Sequence, residues 1–422
     1  MSEKIYGQSR VDGITLLLYF VLVIFGFLAI YSSSHGTEQF HLDFSTQYGK
    51  QIIWIAVSVV VGAALFLIDV RFFEVFSYAF FGFWMLLLFL VIFFGVEVNG
   101  ARSWFAIGSF RLQPAEFAKF GVALALSRYV SDIDTDMKSL RYQLITAAII
   151  MTPIALIVLQ GDAGSGLVFF SFILVLYREG LSGNVLILGI AAVIIAVLTF
   201  NFGFVVLVAA LVILAGIITA FIYTNTSMLK WVWILALTCI GYSKGVDFAF
   251  NHLLQEHQQK RILVMLGLLD DPQGLGYNVN QSKIAIGSGG FWGKGYLQGT
   301  QTKGDFVPEQ HTDFIFTSIG EEFGWVGSTV VIVVFVLLFM RISMLAERQR
   351  SKFSRVYAYC VLSVLFFHFL INIAMTINLA PVIGIPLPFF SYGGSSLISF
   401  TALLFLLLRL DANRENELDS YY

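Results

Sequence analysis

Charge is scarce in this 422-residue chain. Asp, Glu, Lys and Arg make up 12% of it, about half the share of roughly 25% in soluble domains. The 25 basic and 27 acidic residues leave a formal charge of −2, so the basic excess of a nucleic-acid binder is missing. Cysteine is scarce too: Cys239 and Cys360 both fall inside long apolar runs, which argues against a disulfide framework and for two buried, inert thiols. There is no short-period repeat and no low-complexity tract. The first apolar run, Gly13 to Ser33, is too long for a cleavable signal and lacks an Ala-x-Ala site, so it reads as a retained signal anchor. What abounds is apolar: hydrophobic residues reach 58%, with 43 phenylalanines. A water-soluble fold has too much polar surface for that mixture. A cytoplasmic globular enzyme and a disordered chain are thereby excluded. The composition predicts an all-α polytopic transmembrane helix bundle, one membrane domain over 1–422.

A helix crossing a hydrocarbon core of about 30 Å needs about 20 apolar residues. Twelve segments qualify: 13–33, 50–69, 74–95, 113–130, 142–160, 164–178, 183–200, 204–223, 230–248, 312–340, 355–379 and 391–410. The sixth is short, and the fourth carries Glu116 and Lys119. Lys and Arg favour cytoplasmic connections. With both termini inside, those connections hold Arg71, Arg128, Lys138, Arg141, Arg178 and Lys230, and the basic cluster from Arg341 to Arg355. The short outer connections hold only Lys50, Arg102 and Arg111. One connection, 249–311, is long, outer, Gly-rich and balanced in charge, which marks a folded functional element rather than a linker.

The unusual residues concentrate on the outer side. In Asn99-Gly-Ala-Arg-Ser-Trp-Phe-Ala-Ile-Gly-Ser-Phe-Arg111, Trp104, Phe105 and Phe110 interleave with Arg102 and Arg111. That pattern suits a headgroup-level interface, and plain anchoring remains the alternative. Pro114 fits the first turn of the next helix. Glu116 then lies near its positive end, and Glu116 and Lys119, at i,i+3, can neutralise each other. Ionisable groups within a span are expensive, which favours function for both. In Gln160-Gly-Asp-Ala-Gly-Ser-Gly166, Asp162 either caps the sixth span or pairs with Lys119 across the bundle.

The long loop contains Lys260-Arg261 and a run from Gly276 to Gln301 rich in glycine, with Lys283 and Lys294. A nucleotide loop is rejected: Ser288 occupies the leading glycine position of Gly-x4-Gly-Lys-Ser/Thr, and Gly295 replaces the hydroxyl residue. Glycines that bring N–H groups near an anion still suit a phosphate; ligand-free turns are the alternative. Asp313 stands where this loop meets the tenth span, at a helix start that stabilises its anion, and capping is the simpler role. Glu321 and Glu322 lie roughly 12–13 Å further along a helix, which leaves structural pairing as their role. His311 is a candidate base or ligand, though a lone interfacial histidine is more often neither. Pro381-Val-Ile-Gly-Ile-Pro-Leu-Pro-Phe-Phe-Ser-Tyr-Gly-Gly394 forbids a regular helix and reads as a re-entrant loop buried in protein.

These clusters, in this order, resemble the SEDS family of shape, elongation, division and sporulation proteins. The matching stretches are Gly-Ala-Arg-Ser-Trp, Gln-Pro-Ala-Glu-Phe-Ala-Lys, Gln-Ser-Lys-Ile-Ala-Ile-Gly-Ser-Gly-Gly, His-Thr-Asp-Phe-Ile-Phe and Pro-Phe-Phe-Ser-Tyr-Gly-Gly-Ser-Ser. Gly384-Ile-Pro-Leu-Pro388 is nearer to the family's rod-shape branch than to its division branch, whose equivalent usually reads Gly-Leu-Thr-Leu-Pro. The resemblance implies a peptidoglycan glycosyltransferase. Such enzymes polymerise lipid II on the outer face of the bacterial cytoplasmic membrane, with undecaprenyl pyrophosphate leaving. They usually act with a class B penicillin-binding protein and other elongation-complex proteins. It places the essential aspartate on Asp313 and a polar pair of spans four and five on Lys119 and Asp162. Arg102, Trp104, Glu116, Arg261, Lys283, Lys294 and His311 become candidates for holding substrate, with Lys119 among the cations for the pyrophosphate. A divalent cation, magnesium or manganese, stays open as a cofactor. Two departures stand out: 204–248 forms an extra hairpin on the usual ten spans, and Gly161 stands where the family usually has proline. The alternative reading is a flippase for the same lipid, which would need a polar path reaching both faces.

Overall fold

The computed structural model describes residues 11–34, 43–98, 100–108, 110–132, 136–252, 254, 256–269, 275–304 and 306–414. Lys4, Arg10, Asn99, Asp270, Asp271 and Asp305 lie outside the described residues. The chain divides into two compact units, Met1–Leu181 with Asn278–Tyr422, and Ser182–Tyr277.

The first unit opens with α1 (Gly13–Ser34), α2 (Gln47–Leu67), the short α3 (Val70–Val75) and α4 (Ser77–Phe94). Thr46 caps α2 by accepting from the amide of Gly49, and Asp69 caps α3 through Arg71. The aromatic and arginine cluster that follows is an antiparallel meander, β1 (Val96–Val98), β2 (Ala101–Ile107) and β3 (Phe110–Leu112), in the order β1-β2-β3. Helices α5 (Pro114–Ser131) and α6 (Leu140–Leu159) come next. Then α7 (Ala163–Leu167), a 3₁₀ turn (Val168–Ser171) and α8 (Phe172–Arg178) run on as one broken helix.

The second unit holds α9 (Gly183–Phe202), α10 (Phe204–Ile222), α11 (Thr226–His252) and α12 (Glu256–Met265). The 204–248 hairpin thus maps onto α10 and α11, which pack on each other and on α9. A hydroxyl contact between Thr199 and Ser243 at 2.9 Å joins α9 to α11. These helices are apolar nearly all round, yet few of their residues are buried. That is the pattern of segments solvated by hydrocarbon.

The chain returns to the first unit through α13 (Leu275–Ser288), α14 (Thr300–Lys303), α15 (Ile315–Glu347), α16 (Lys352–Thr376) and α17 (Gly394–Asn413). The stretch read as one long loop, 249–311, therefore contains the end of α11 and helices α12, α13 and α14. Among the described residues, ten helices are long and apolar enough to cross a membrane, and the protein is a polytopic helical membrane protein. The two other expected spans are 113–130 and 164–178. The first is α5, enclosed by α4, α6, α16 and α17. It faces protein, so small and charged residues can replace lipid-compatible ones. The second is the broken helix, whose first turns read Ala-Gly-Ser-Gly.

One break in α15 sets up the outer side. Gly324 has φ 63° and ψ −154° inside the helix. The amides of Trp325 and Val326 bond to the carbonyls of Gly290 and Phe291, and those of Lys294 and Gly295 reach the carbonyls of Glu321 and Glu322. The glycine loop thereby supplies the partners that the kink removes from the helix. A side chain at Gly293 would sit 2.1 Å from the carbonyl oxygen of Glu322, and one at Gly324 would sit 2.4 Å from the Gly293 nitrogen. Close backbone approach explains these glycines.

Candidate functional site

Asp313 lies in the turn before α15, half-buried, with Phe314 at the N-cap. The three backbone carbonyls of this turn are each fastened to the C-terminal part of the chain. The amide of Tyr392 donates to the carbonyl of His311 at 2.8 Å. The Ser391 hydroxyl donates to that of Thr312 at 2.6 Å. The Asn372 side-chain amide donates to that of Asp313 at 2.9 Å. Gly384, at φ 72°, faces the carboxylate: a Cβ there would lie 3.2 Å from Asp313 Oδ2. Non-glycine residues with positive φ flank both segments, Glu309 at 55° and Phe389 at 63°. Such strain persists only where the surroundings over-determine it.

The segment 377–393, expected as a re-entrant loop, is irregular, and α16 grips it. Asn372 Nδ2 also donates to the carbonyl of Ile385 at 2.8 Å. His368 Nδ1 lies 3.1 Å from the carbonyl of Pro386, and its Nε2 lies 2.9 Å from Lys119 Nζ. A carbonyl can only accept and an ammonium can only donate. These contacts therefore fix a neutral imidazole with its proton on Nδ1. Lys119 is buried, salt-bridged to Glu116 at 2.8 Å, with Nζ 4.7 Å from the centre of the Phe400 ring. A path of contacts runs from Glu116 through Lys119, His368 and Pro386 to the loop that faces Asp313.

The expected pairing of Lys119 with Asp162 is corrected. The ion partner of Lys119 is Glu116, one helical turn away on the same helix. Asp162 instead caps α7, accepting from the amide and hydroxyl of Ser165 at 3.1 and 2.8 Å, and from Gln113 Nε2 at 3.0 Å.

Lys294 is not an available cation. It is salt-bridged to Glu321 at 2.7 Å and bonded to the Thr300 hydroxyl at 2.7 Å. The two oxygens of Glu321 also accept the amides of Thr300, Gln301 and Thr302. The Lys294 and Gly295 amides are likewise committed to α15, so a glycine cradle for phosphate does not form there. Lys283 is exposed on α13, whose Ser282 joins the Thr317 hydroxyl at 2.7 Å and the carbonyl of Thr376 at 2.9 Å. Arg102 is exposed on β2 and 4.0 Å from Glu97, and Trp104 on the same strand is half-buried. The amide of Arg102 ties β2 to the carbonyl of Gln160, at the end of α6. His311 Nδ1 lies 2.8 Å from the Ser33 hydroxyl. Arg261 is on α12 of the second unit.

The structure thus brings together Asp313, His311 and the 384–392 loop, and links Glu116 and Lys119 to them through His368. That histidine escaped the sequence reading, although an ionisable residue inside the apolar 355–379 span was the signal. Among the described residues, no three His, Cys, Asp or Glu side chains converge as a metal cage.

The family model for FtsW, RodA and SpoVE, described as cell cycle proteins, matches residues 13–211 and 206–416. The peptidoglycan glycosyltransferase RodA of Treponema pallidum (strain Nichols) is 32% identical, over 97% of this chain and 100% of that one. The peptidoglycan glycosyltransferase MrdB of Escherichia coli (strain K12) is also 32% identical, over 98% and 96%. Among solved structures, one on the structural coordination of polymerization and crosslinking by a peptidoglycan synthase complex has a chain 26% identical. It covers 96% of this chain and 98% of that one, with a TM-score of 0.66. The rod shape determining protein RodA of Thermus thermophilus, 23% identical over 96% and 98%, shares the fold with a TM-score of 0.63.

Proposed function

Because the chain belongs to the FtsW, RodA and SpoVE family of cell cycle proteins, we propose that it is a peptidoglycan glycosyltransferase of cell elongation and rod shape. Its substrate in this reading is lipid II, and it works with a class B penicillin-binding protein in an elongation complex of a bacterial cytoplasmic membrane. The observation that carries the site assignment is the fastening of the 311–313 turn, with the Asp313 carboxylate facing Gly384. The outer face is the one bearing Asp313: the basic 341–355 stretch, which holds to the cytoplasm, lies at the opposite end of α15. Both termini then lie inside.

The reaction in this reading is an inverting transfer. The 4-hydroxyl of the acceptor N-acetylglucosamine attacks C1 of the donor N-acetylmuramic acid, and undecaprenyl pyrophosphate leaves. Asp313 accepts or orients the hydroxyl proton. A carboxylate of ordinary basicity is a weak base for an alcohol, so positioning and charge stabilisation of the leaving group supply much of the rate. With Lys119 and Lys294 engaged internally, Arg102 and Lys283, both exposed in the first unit, are the better of the candidates for the pyrophosphate. Trp104 stands beside Arg102 as a surface for the sugar or lipid. A magnesium or manganese ion would be held by the Asp313 carboxylate and would supply charge neutralisation for the leaving pyrophosphate.

The test is purified protein, with its transpeptidase partner, given labelled lipid II with and without magnesium. Asp313→Asn should insert, fold and bind lipid II, and lose about 100- to 10,000-fold in polymerisation. Near-normal polymerisation by this variant would remove Asp313 from the chemistry. Translocation of lipid II without polymer from the unmutated protein would replace the enzyme with the flippase.

A further inference from the structure

The loop facing Asp313 is short of backbone donors. Pro381, Pro386 and Pro388 carry no N–H, and a carbonyl left unpaired inside protein is costly. Helix α16 supplies two donors from one face, a turn apart. Asn372 Nδ2 donates to the carbonyl of Ile385 at 2.8 Å, and His368 Nδ1 lies 3.1 Å from the carbonyl of the next residue, Pro386. Both side chains are fully buried. An amide always carries its donors. A neutral imidazole carries one proton for two nitrogens, so only one of its two tautomers holds the loop.

The far side of the ring favours that same tautomer. Lys119 Nζ lies 2.9 Å from Nε2. An ammonium only donates, so it takes the Nε2 lone pair and leaves the ring proton to Nδ1. Glu116, 2.8 Å from Nζ, balances the buried charge. The imidazole stands edge-on to Phe400, with centroids 4.8 Å apart and planes at 81°, which holds its plane between the two partners.

We propose that His368 is a positioning residue for the transfer reaction, and that the Glu116–Lys119 pair acts on that reaction through it. The proposal rests on the glycosyltransferase reading for the reaction served. Pro386 is two residues from Gly384, which faces the Asp313 carboxylate. The same loop returns to the aspartate turn through Tyr392 and Ser391, which bond to the carbonyls of His311 and Thr312. A loop displaced at Pro386 therefore disturbs Asp313 from two sides. The two charges of α5 thus serve the chemistry by setting a loop, not by meeting the pyrophosphate.

His368→Phe keeps a ring against Phe400 and removes both nitrogens. Given labelled lipid II and the transpeptidase partner, it should lower kcat by about 10- to 100-fold with KM nearly unchanged. His368→Gln, whose amide offers one donor and one acceptor, should recover about tenfold of that, the worth of a hydrogen bond to a buried acceptor. The charge-neutral double change Glu116→Gln with Lys119→Met should lower kcat in the unmutated background. In His368→Phe it should add less than about twofold. Equal losses in the Phe and Gln variants, a loss carried by KM, or additive effects of the pair and the histidine would each overturn the proposal.

Two readouts need no turnover. The amides of Leu387 and Tyr392, bonded to Ser391 Oγ and to the His311 carbonyl at 2.8 Å each, should exchange hydrogen faster in His368→Phe than in His368→Gln; equal exchange rates would contradict the hold on the loop. Nitrogen-15 NMR of the histidine-labelled full chain reads the ring directly, even where the Phe variant fails to fold. The resonances lost in His368→Gln should belong to a neutral ring protonated at Nδ1; a ring protonated at Nε2 overturns the assignment. An unmutated protein that makes no glycan would reject the glycosyltransferase reading, while exchange and NMR still decide whether His368 holds the loop.

Discussion

The side-chain amide of Asn372 bonds at once to the backbone carbonyls of Asp313 and of Ile385, at 2.9 and 2.8 Å. Both amide protons are used, so one buried residue on α16 sets the spacing between the aspartate turn and the proline-rich loop. A carboxylate meant to meet a hydroxyl in a defined direction needs its backbone held in this way.

Asn372→Ala should therefore cost more than packing. Two buried carbonyls lose their donor, at about 1–3 kcal/mol each, and the turn loses its register with Gly384. We expect a lower thermal midpoint in detergent and a fall in kcat larger than any rise in KM. A stable variant with unchanged kcat would contradict this role.

Gly384→Ala tests the same spacing from the loop side. Its φ of 72° strains any alanine, by about 1–2 kcal/mol, and the new methyl would press on Asp313 Oδ2 from 3.2 Å. Polymerisation should fall while the protein still inserts. Gly295→Ala is the control. It carries comparable strain at φ 104°, but its nearest neighbour is the Gln298 side chain at 3.4 Å, so activity should persist. Equal losses from both changes would reduce the Gly384 effect to backbone strain.

Lys119→Met leaves Glu116 buried without its cation, a change that costs about 3–5 kcal/mol for a broken buried pair. A double-mutant cycle with Glu116→Gln should show strong coupling. The cycle of Lys119→Met with Asp162→Asn should be additive to within about 0.5 kcal/mol, because Asp162 is occupied by Ser165 and Gln113. Comparable coupling in the two cycles would restore the cross-bundle pair.

Asp12 carries a pH dependence. Burial alone would raise its pKa, but hydrogen bonds from Arg341 and Thr15 outweigh that and hold it well below the usual carboxylate range. A depressed folded pKa stabilises the protein fully above the unfolded value, about 3.9. That stabilisation is lost as pH falls towards the folded value. The thermal midpoint should thus decline on acidification below about pH 4, and Asp12→Asn should flatten part of that decline. Identical acid profiles for the two proteins would exclude Asp12 as a source.

Much of this was legible in the residues, and the failures have physical causes. Ten spans are visible because hydrocarbon imposes a length and a composition that leave few alternatives. Span α5 was marked as unusual by Glu116 and Lys119, and its neighbours explain it. The glycine loop misled because glycine signals close backbone approach without saying to what. The answer, a break in α15 at Gly324, depends on pairing across the chain. The partner of Lys119 was open for a similar reason: Glu116 at i,i+3 is a local fact, whereas the claim for Asp162 required tertiary placement. His368 and Asn372 matter through contacts with a loop that sequence spacing does not locate.

The break in α15 also bears on bilayer thickness. At 33 residues the helix would be about 50 Å long if straight, well beyond a hydrocarbon core of about 30 Å. Residues 325–347 alone give about 35 Å, close to a full crossing with modest tilt. The segment above the break is stitched to α14 and the glycine loop through Glu321 and Glu322. Hydrophobic mismatch acts on the lower part, which can tilt. The upper part keeps the height of Asp313 tied to protein neighbours, so lipids of different chain length should shift the crossing while leaving the aspartate level with its loop.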